Sequence, residues 1–299
     1  LSWRDYADHL GRKGLGAVRQ TEQAVGSLPD YDARVDAVFD ELLDALPAEQ
    51  RRVLEYAALL PEDQVYAPWL VELLESDEDV ELPELPGYEE RPGEPVVWAL
   101  VDRQLLRARG EEHVVGLHRV LRRRVRERLA EAGVLDQLVN RVAVLAVRRG
   151  KASDAALTET TLRRELTPLV ALSRALDALG RTEAAARLAS WISTPLRGLG
   201  RFREARALLE EFTNTERLEA LPVEGAAALL SNLALILKDL GELVGARQRI
   251  ERVIEIVDRH LDSNHPTLAS YYSNLASIHY ALGELAEARR RMEQAIEIN

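Results

Sequence analysis

The chain has 299 residues, 46% of them hydrophobic and 30% charged, with no cysteine and a formal net charge of −11. That length allows two domains with a full hydrophobic core, and the lack of thiols excludes disulfides and thiolate metal sites and suits a reducing cytoplasm. The acid excess counts against a protein held to nucleic acid by its overall field, no apolar run approaches a membrane span, and the charged opening Leu1-Ser2-Trp3-Arg4-Asp5 is not a secretory signal.

Sparse Gly and aromatics among abundant Ala, Leu, Arg and Glu favour helices. Residues 1–28 come first, loosened by Gly11, Gly14 and Gly16. The run Gly11-Arg-Lys-Gly-Leu-Gly16 lacks the Gly-Lys-Ser/Thr ending of a phosphate-binding loop, so the chain is not expected to hydrolyse ATP. A helix follows from Tyr31 to Ala45, with Val35, Val38, Phe39, Leu42 and Leu43 on one face, and Pro47 ends it. Ala48 to Leu60 is a second helix, closed by Pro61, and Pro68 opens a third that carries Trp69, Leu70, Leu73 and Leu74. The stretch 75–95 is acidic and rich in Pro and Gly, which reads as a solvated insertion. Val96 to Leu105 is helical again. A hairpin then runs from Leu105 to His118 with its turn at Gly110, and a basic helix from His118 to Ala132 carries Arg119, Arg122, Arg123, Arg124, Arg126 and Arg128.

From Leu135 onward the pattern is helical throughout. Ser231-Asn-Leu-Ala-Leu-Ile-Leu-Lys-Asp-Leu-Gly-Glu-Leu-Val-Gly-Ala-Arg247 returns 42 residues later as Ser273-Asn-Leu-Ala-Ser-Ile-His-Tyr-Ala-Leu-Gly-Glu-Leu-Ala-Glu-Ala-Arg289. A fixed period of this size marks a helical repeat array, an architecture that makes binding surfaces. Leu-Gly recurs at 179–180, 199–200, 240–241 and 282–283, and the short first interval makes Gly180 the end of a lone helix. Leu275, Ile278, Leu285, Met292 and Ile296 are expected to fill the seam of the last unit, as Leu233, Ile236, Leu243, Ile250 and Ile254 fill the one before, with Ala246 and Ala288 at the close approaches.

These units resemble the tetratricopeptide repeat, in about three copies over 182–299, with His265-Pro266-Thr267 ahead of the last. The resemblance implies a concave groove lined by the first helix of each unit. It places Asn232 and Asn274 where relatives hold a peptide backbone, with Trp191 in that position of the first unit and Arg187, Arg197, Lys238, Ser273, Ser277 and Tyr280 around them. An Asn amide donates and accepts at once, which suits that role. A two-lysine carboxylate clamp is not implied, because the pattern departs at Trp191.

Leu46-Pro47 to Leu60-Pro61, Val101 to Arg107 and Val114-Val-Gly-Leu117-His118-Arg119 to Val125 resemble the winged-helix portion of STAND-type signalling ATPases of the NB-ARC class. The resemblance implies a mainly α protein. Residues 1–28 would be the end of a preceding small helical (ARC-like) domain, 29–133 a winged-helix domain with a β-hairpin wing and the acidic insertion, 134–181 connecting helices, and 182–299 an α-solenoid. In that family a Met-His-Asp motif closes the wing and its His touches the β-phosphate of ADP. Leu117-His118-Arg119 stands in its place, keeping the His, and Arg119 could also reach phosphate. The implied protein is cytoplasmic and binds ADP/ATP in an upstream nucleotide-binding domain, with no cofactor expected in these residues. It oligomerises when activated and takes a protein or peptide trigger in the repeats. Two other classes stay open: a DNA-binding transcriptional regulator that uses the winged helix as reader, and a plain scaffold. Against the first, the acidic insertion offers the arginines internal partners. No His/Asp/Glu metal cluster and no nucleophile turn is apparent in the sequence.

Overall fold

A computed structural model describes residues 29–75, 94–109, 113–154, 159–260 and 266–298. The expectations for residues 1–28, for the insertion and for the Gly110 turn lie outside them. The chain forms two compact units, residues 1–145 and 146–299.

In the first unit, α1 (Pro29–Asp44) begins on its proline, and α2 (Ala48–Leu59) follows Pro47. Leu60 takes an extended conformation ahead of Pro61 and stops α2. Next come β1 (Val65–Tyr66), α3 (Ala67–Glu75), α4 (Glu94–Asp102), β2 (Leu106–Ala108), β3 (Val114–Leu117) and α5 (Arg119–Glu131). The expected hairpin is β2 and β3, in antiparallel register with Leu106 opposite Leu117 and Ala108 opposite Val115. The sequence reading missed β1, whose two residues pair with β3 at Val65–Val115 and Tyr66–Val114, giving the order β1-β3-β2. The core beneath the sheet holds Val53, Leu54, Tyr56, Trp69, Leu70, Leu100, Leu117 and Leu121, all buried, with Tyr66 edge-on to Trp69 at 5.6 Å between ring centroids.

Helix α6 (Leu135–Asp154) gives its first half to this unit and its second half to the next. The second unit continues with α7 (Glu159–Ala178), α8 (Thr182–Gly198), α9 (Phe202–Glu210), α10 (Thr215–Glu219), α11 (Val223–Asp239), α12 (Leu243–His260), α13 (Pro266–Ala281) and α14 (Leu285–Ile298). The helices pair as hairpins α8/α9, α11/α12 and α13/α14; α11 packs on both helices of the pair before it, and α13 packs on α12. The short α10, between α9 and α11, was not expected. Asn214 caps it, accepting the Arg217 N–H at 2.9 Å.

One turn is used again and again. Gly180, Gly200, Gly241 and Gly283 all take φ between +74° and +79°. At each, the Gly N–H donates to the carbonyl three residues back and the next N–H to the carbonyl five back, as Gly241 does to Lys238 at 3.0 Å and Glu242 to Leu237 at 2.9 Å. This is the left-handed helix stop that glycine adopts without a Cβ penalty.

Part of the expected seam is absent. Leu275 and Ile278 are buried, as are Leu233, Ile236 and Ile250, but Leu285, Met292 and Ile296 are exposed. The reason is positional. In α12 the equivalent side of the helix is covered by α13, and among the described residues no helix lies over α14 in the same way.

Gln104 closes α4 with the same hydrogen bonds as those glycines (Gln104 N–H to Val101 at 2.8 Å, Leu105 N–H to Leu100 at 2.9 Å) at φ +60°, where a side chain is unfavourable. Gln104→Gly is therefore expected to stabilise the chain by about 0.5–1 kcal/mol, read as a higher urea midpoint at unchanged slope.

Candidate functional site

Two regions carry the residues singled out from sequence, one in each unit. In the first, α5 begins at His118, which is the N-cap: its Nδ1 accepts the Val120 N–H at 3.3 Å. His118 and Arg119 are both exposed. The capping contact occupies Nδ1, and no bond to Nε2 is made among the described residues.

The remaining arginines of α5 are engaged within the unit. Arg124 clasps Asp40 of α1 with two bonds, Nε to Oδ1 at 2.8 Å and Nη2 to Oδ2 at 2.9 Å. Arg123 reaches Asp36 at 3.1 Å, and Arg128 reaches Asp44 at 2.6 Å. Arg126 donates to the Ala58 carbonyl at 2.7 Å and Arg122 to the Leu60 carbonyl. These are carbonyls at the end of α2, where a cation suits the helix dipole. The acidic insertion was expected to supply the partners. It lies outside the described residues; among the described ones Asp36, Asp40 and Asp44, one helical turn apart on α1, supply carboxylates to these arginines. Burial pulls the Arg122 guanidinium down to about 10, and the hydrogen bond from Arg124 holds the Asp40 carboxyl below its ordinary range.

In the second unit the first helices α8, α11 and α13 bring the groove candidates into rows. Asn232 Nδ2 donates to the Ser190 carbonyl and to Ser190 Oγ, both at 3.0 Å. Asn274 Nδ2 donates to Ser231 Oγ at 3.3 Å. Each amide thus ties its repeat to the one before, and each keeps its carbonyl oxygen as a remaining acceptor. Arg197 pairs with Asp239, while Lys238 Nζ donates to Ser277 Oγ at 2.6 Å and has no carboxylate partner among the described residues. Tyr280 is 70% exposed. Trp191 is half-buried against Gly150 of α6, where a Cβ would stand 2.9 Å from the indole. The glycine makes room for the ring.

A second set of ties joins the outer helices, and the sequence reading did not draw on it. Arg206 bonds Glu242 at 2.5 Å and Arg247 bonds Glu284 at 3.3 Å, so the same Arg and the same turn Glu meet in successive repeats. Glu284 Oε2 also lies 2.5 Å from Nδ1 of the buried His279. The signal was available: Arg247-to-Glu284 and Arg206-to-Glu242 keep nearly constant spacing along the sequence. Among the described residues, no three His, Asp or Glu side chains gather as a metal site, and no helix is long and apolar enough to cross a membrane.

A tetratricopeptide-repeat family model matches residues 225–299, and a second matches residues 166–191. The second unit carries tetratricopeptide repeats. The match at 166–191 runs from α7 through the Gly180 turn into α8, so repeat-like sequence begins ahead of residue 182 and α7 is no lone helix. Among solved structures, the chain is similar to a putative kinesin light chain from Podospora anserina with nearly identical tetratricopeptide-like repeats, at 22% identity over 58% of this chain and 91% of that one (TM-score 0.33). It is also similar to a Signal Transduction ATPase with Numerous Domains from Pyrococcus horikoshii that has a tetratricopeptide repeat sensor. There the identity is 20% over 88% of this chain and 40% of that one (TM-score 0.34), so the chain spans less than half of that protein. No curated protein matches the sequence.

The Asp40–Arg124 clasp yields a signed expectation. A carboxylate whose folded pKa is depressed stabilises the fold above its unfolded value and stops doing so as pH falls through the folded value. Asp40→Asn should lower stability at neutral pH, and the gap between mutant and parent should narrow as pH drops below about 4. Urea midpoints measured over that range give the comparison.

Proposed function

We propose that these residues form the sensing part of a STAND nucleotide switch of the NB-ARC class. In this reading the tetratricopeptide repeats hold a protein or peptide trigger. Residues 29–133 are a winged helix, with β2 and β3 as its wing, that stabilises the ADP-bound resting state. The observation that carries the reading is the conjunction in one chain of two things: the order α1, α2, β1, α3, α4, β2, β3, α5 with its β1-β3-β2 sheet, and a repeat array after it.

His118 and Arg119 are the residues offered to the nucleotide. They stand exposed together at the start of α5, and His118 keeps one ring nitrogen for a phosphate oxygen. The P-loop belongs to a separate nucleotide-binding domain, since the sequence contains none. A trigger that binds the open arrangement more tightly than the closed one shifts the equilibrium towards opening, nucleotide exchange and oligomerisation. Trigger contacts are assigned to Trp191, Arg197, Asn232, Lys238, Asn274, Ser277 and Tyr280, with Lys238 as the cation left for an acidic group. The DNA-reader alternative has less behind it, because five arginines of α5 already have partners inside the unit.

Two experiments separate the parts of this reading. Calorimetry on residues 1–299 should show ADP binding no tighter than about 1 mM, and a dissociation constant in the micromolar range would sink the division of labour proposed here. In a parent that includes the nucleotide-binding domain, His118→Ala should speed ADP release about tenfold, the effect of one charge-assisted hydrogen bond.

For the groove, a displayed peptide library panned on the chain should yield binders that lose about tenfold or more in affinity on Lys238→Ala combined with Tyr280→Ala. Both side chains reach the surface, so circular dichroism should be unchanged. Equal binding by parent and mutant would remove these residues from the trigger site.

A further inference from the structure

The hairpin of the first unit has a core side and an outer side. Leu106 and Leu117 stand opposite each other on β2 and β3, and both are buried. Side chains alternate along a strand, so Arg107, which stands opposite Gly116, belongs to the outer side. The backbone at His118 is still extended (φ −60°, ψ 133°), which carries the alternation on and puts His118 on the outer side too. Arg107 and His118 are then diagonal neighbours on adjacent strands, about 7–8 Å apart and within reach of a long side chain. Both are exposed, and Gly116, opposite one and two residues before the other, adds no side chain between them.

The charge on this side is unbalanced. Arg109 lies over Gly116, where a Cβ would stand 2.9 Å from its Nε and 2.9 Å from Oδ1 of Asp63, and Arg109 and Asp63 pair. That carboxylate is therefore taken. Among the described residues Arg107 has neither a hydrogen bond nor an ion pair, and the same holds for Arg103 ahead of β2 and Arg119 after β3. The next acids along the chain are Glu62, whose charge acts on Arg122 and Arg126, and Asp102 at the end of α4. His118 adds a donor to the same place. Its Nδ1 accepts the Val120 N–H, so the proton of the neutral ring sits on Nε2. A planar guanidinium can donate to two oxygens of one phosphoryl group at once, and an imidazole N–H supplies a further bond.

We propose that Arg107 grips a phosphoryl group together with His118, and that the outer side of this hairpin takes a diphosphate. Arg107 and the Nε2–H of His118 hold one phosphoryl group. Arg119, next to His118 in the chain, is left for the neighbouring one, so a diphosphate is held better than a single phosphate. Arg109 takes no part, because Asp63 neutralises it. The proposal deepens the nucleotide reading and rests on it for ADP as the source of the diphosphate; the grip itself is made by residues of this chain alone.

The probe is inorganic pyrophosphate, titrated at low salt into the 299-residue chain while the His118 ring proton is followed by nuclear magnetic resonance. The expected dissociation constant is about 1–10 mM, with inorganic phosphate and sulfate weaker by about fivefold or more at equal ionic strength. Arg107→Ala should weaken pyrophosphate about tenfold, and Arg107→Lys should recover only part of the loss, since it keeps the charge and loses the fork. Arg107 is exposed, so circular dichroism and the urea midpoint should not change. Arg289→Ala removes one positive charge from an exposed site in the second unit and should leave the titration as it was. Equal binding by Arg107→Ala and the parent overturns the proposal, and an equal response to sulfate and pyrophosphate reduces the place to an adventitious ion only. In a chain that includes the nucleotide-binding domain, Arg107→Ala should speed ADP release as His118→Ala does. If His118→Ala speeds it and Arg107→Ala does not, Arg107 is wrongly assigned and the nucleotide reading stands. If pyrophosphate binds as expected here and neither substitution alters ADP release, the grip stands and the nucleotide reading falls.

Discussion

The left-handed glycine at the end of each first helix is the constraint from which the repeat unit follows. It stops the helix, satisfies two of its last carbonyls and sends the chain back along the same side, so that the second helix must meet the first. Because Gly180, Gly200, Gly241 and Gly283 adopt nearly one geometry, the chain reverses in the same way at each, although the returning helices differ in length, from nine residues in α9 to 18 in α12. Gly133 ends α5 in the same way ahead of α6, with its N–H on Ala130 at 3.0 Å and that of Val134 on Leu129 at 3.1 Å. The device thus serves both units and carries no information about function. Function enters only with the side chains that the device sets in rows.

Those rows have two jobs that compete for the same atoms. The asparagines of the groove spend their N–H groups on the serines of the repeat before, and Arg197 is held by Asp239. Among the described residues, what is left over is the asparagine carbonyl oxygens, Lys238 with the Ser277 hydroxyl as its partner, and the exposed Tyr280 ring. The first unit shows the same economy in its basic helix. Guanidinium groups that would look available in a sequence are distributed over three aspartates of α1 and two carbonyls at the end of α2.

Much of this architecture was legible in the sequence because it is local or periodic. Proline and glycine mark where α1, α2, α11 and α13 begin or end, and the 42-residue repeat fixes the register of the last two hairpins. The parts that were not legible depend on distant partners. Strand β1 is two residues long and exists only because β3 offers it an edge. The acids that meet α5 lie more than 80 residues away, and only the one-turn spacing of Asp36, Asp40 and Asp44, matched by Arg124 and Arg128, hinted at the pairing. The seam residues of α14 were read by analogy with α12. The analogy was sound in chemistry and failed in burial, since identical positions are covered only when a neighbour is there to cover them. His118 illustrates the remaining gap. Its position at the head of a helix was visible, but that one ring nitrogen is taken up by capping and the other is left over is a matter of coordinates.

Successive tetratricopeptide repeats are tied by Ser190 with Asn232, Ser231 with Asn274, Arg206 with Glu242 and Arg247 with Glu284, while Arg217 of α10 reaches back past the α8/α9 pair to Asp177 of α7. In such a series each joint bends against its own few bonds, and small rotations at successive joints add along the array. A change at one joint therefore reaches the next hairpin through a handful of named bonds, and the α7–α10 pair braces the first of them.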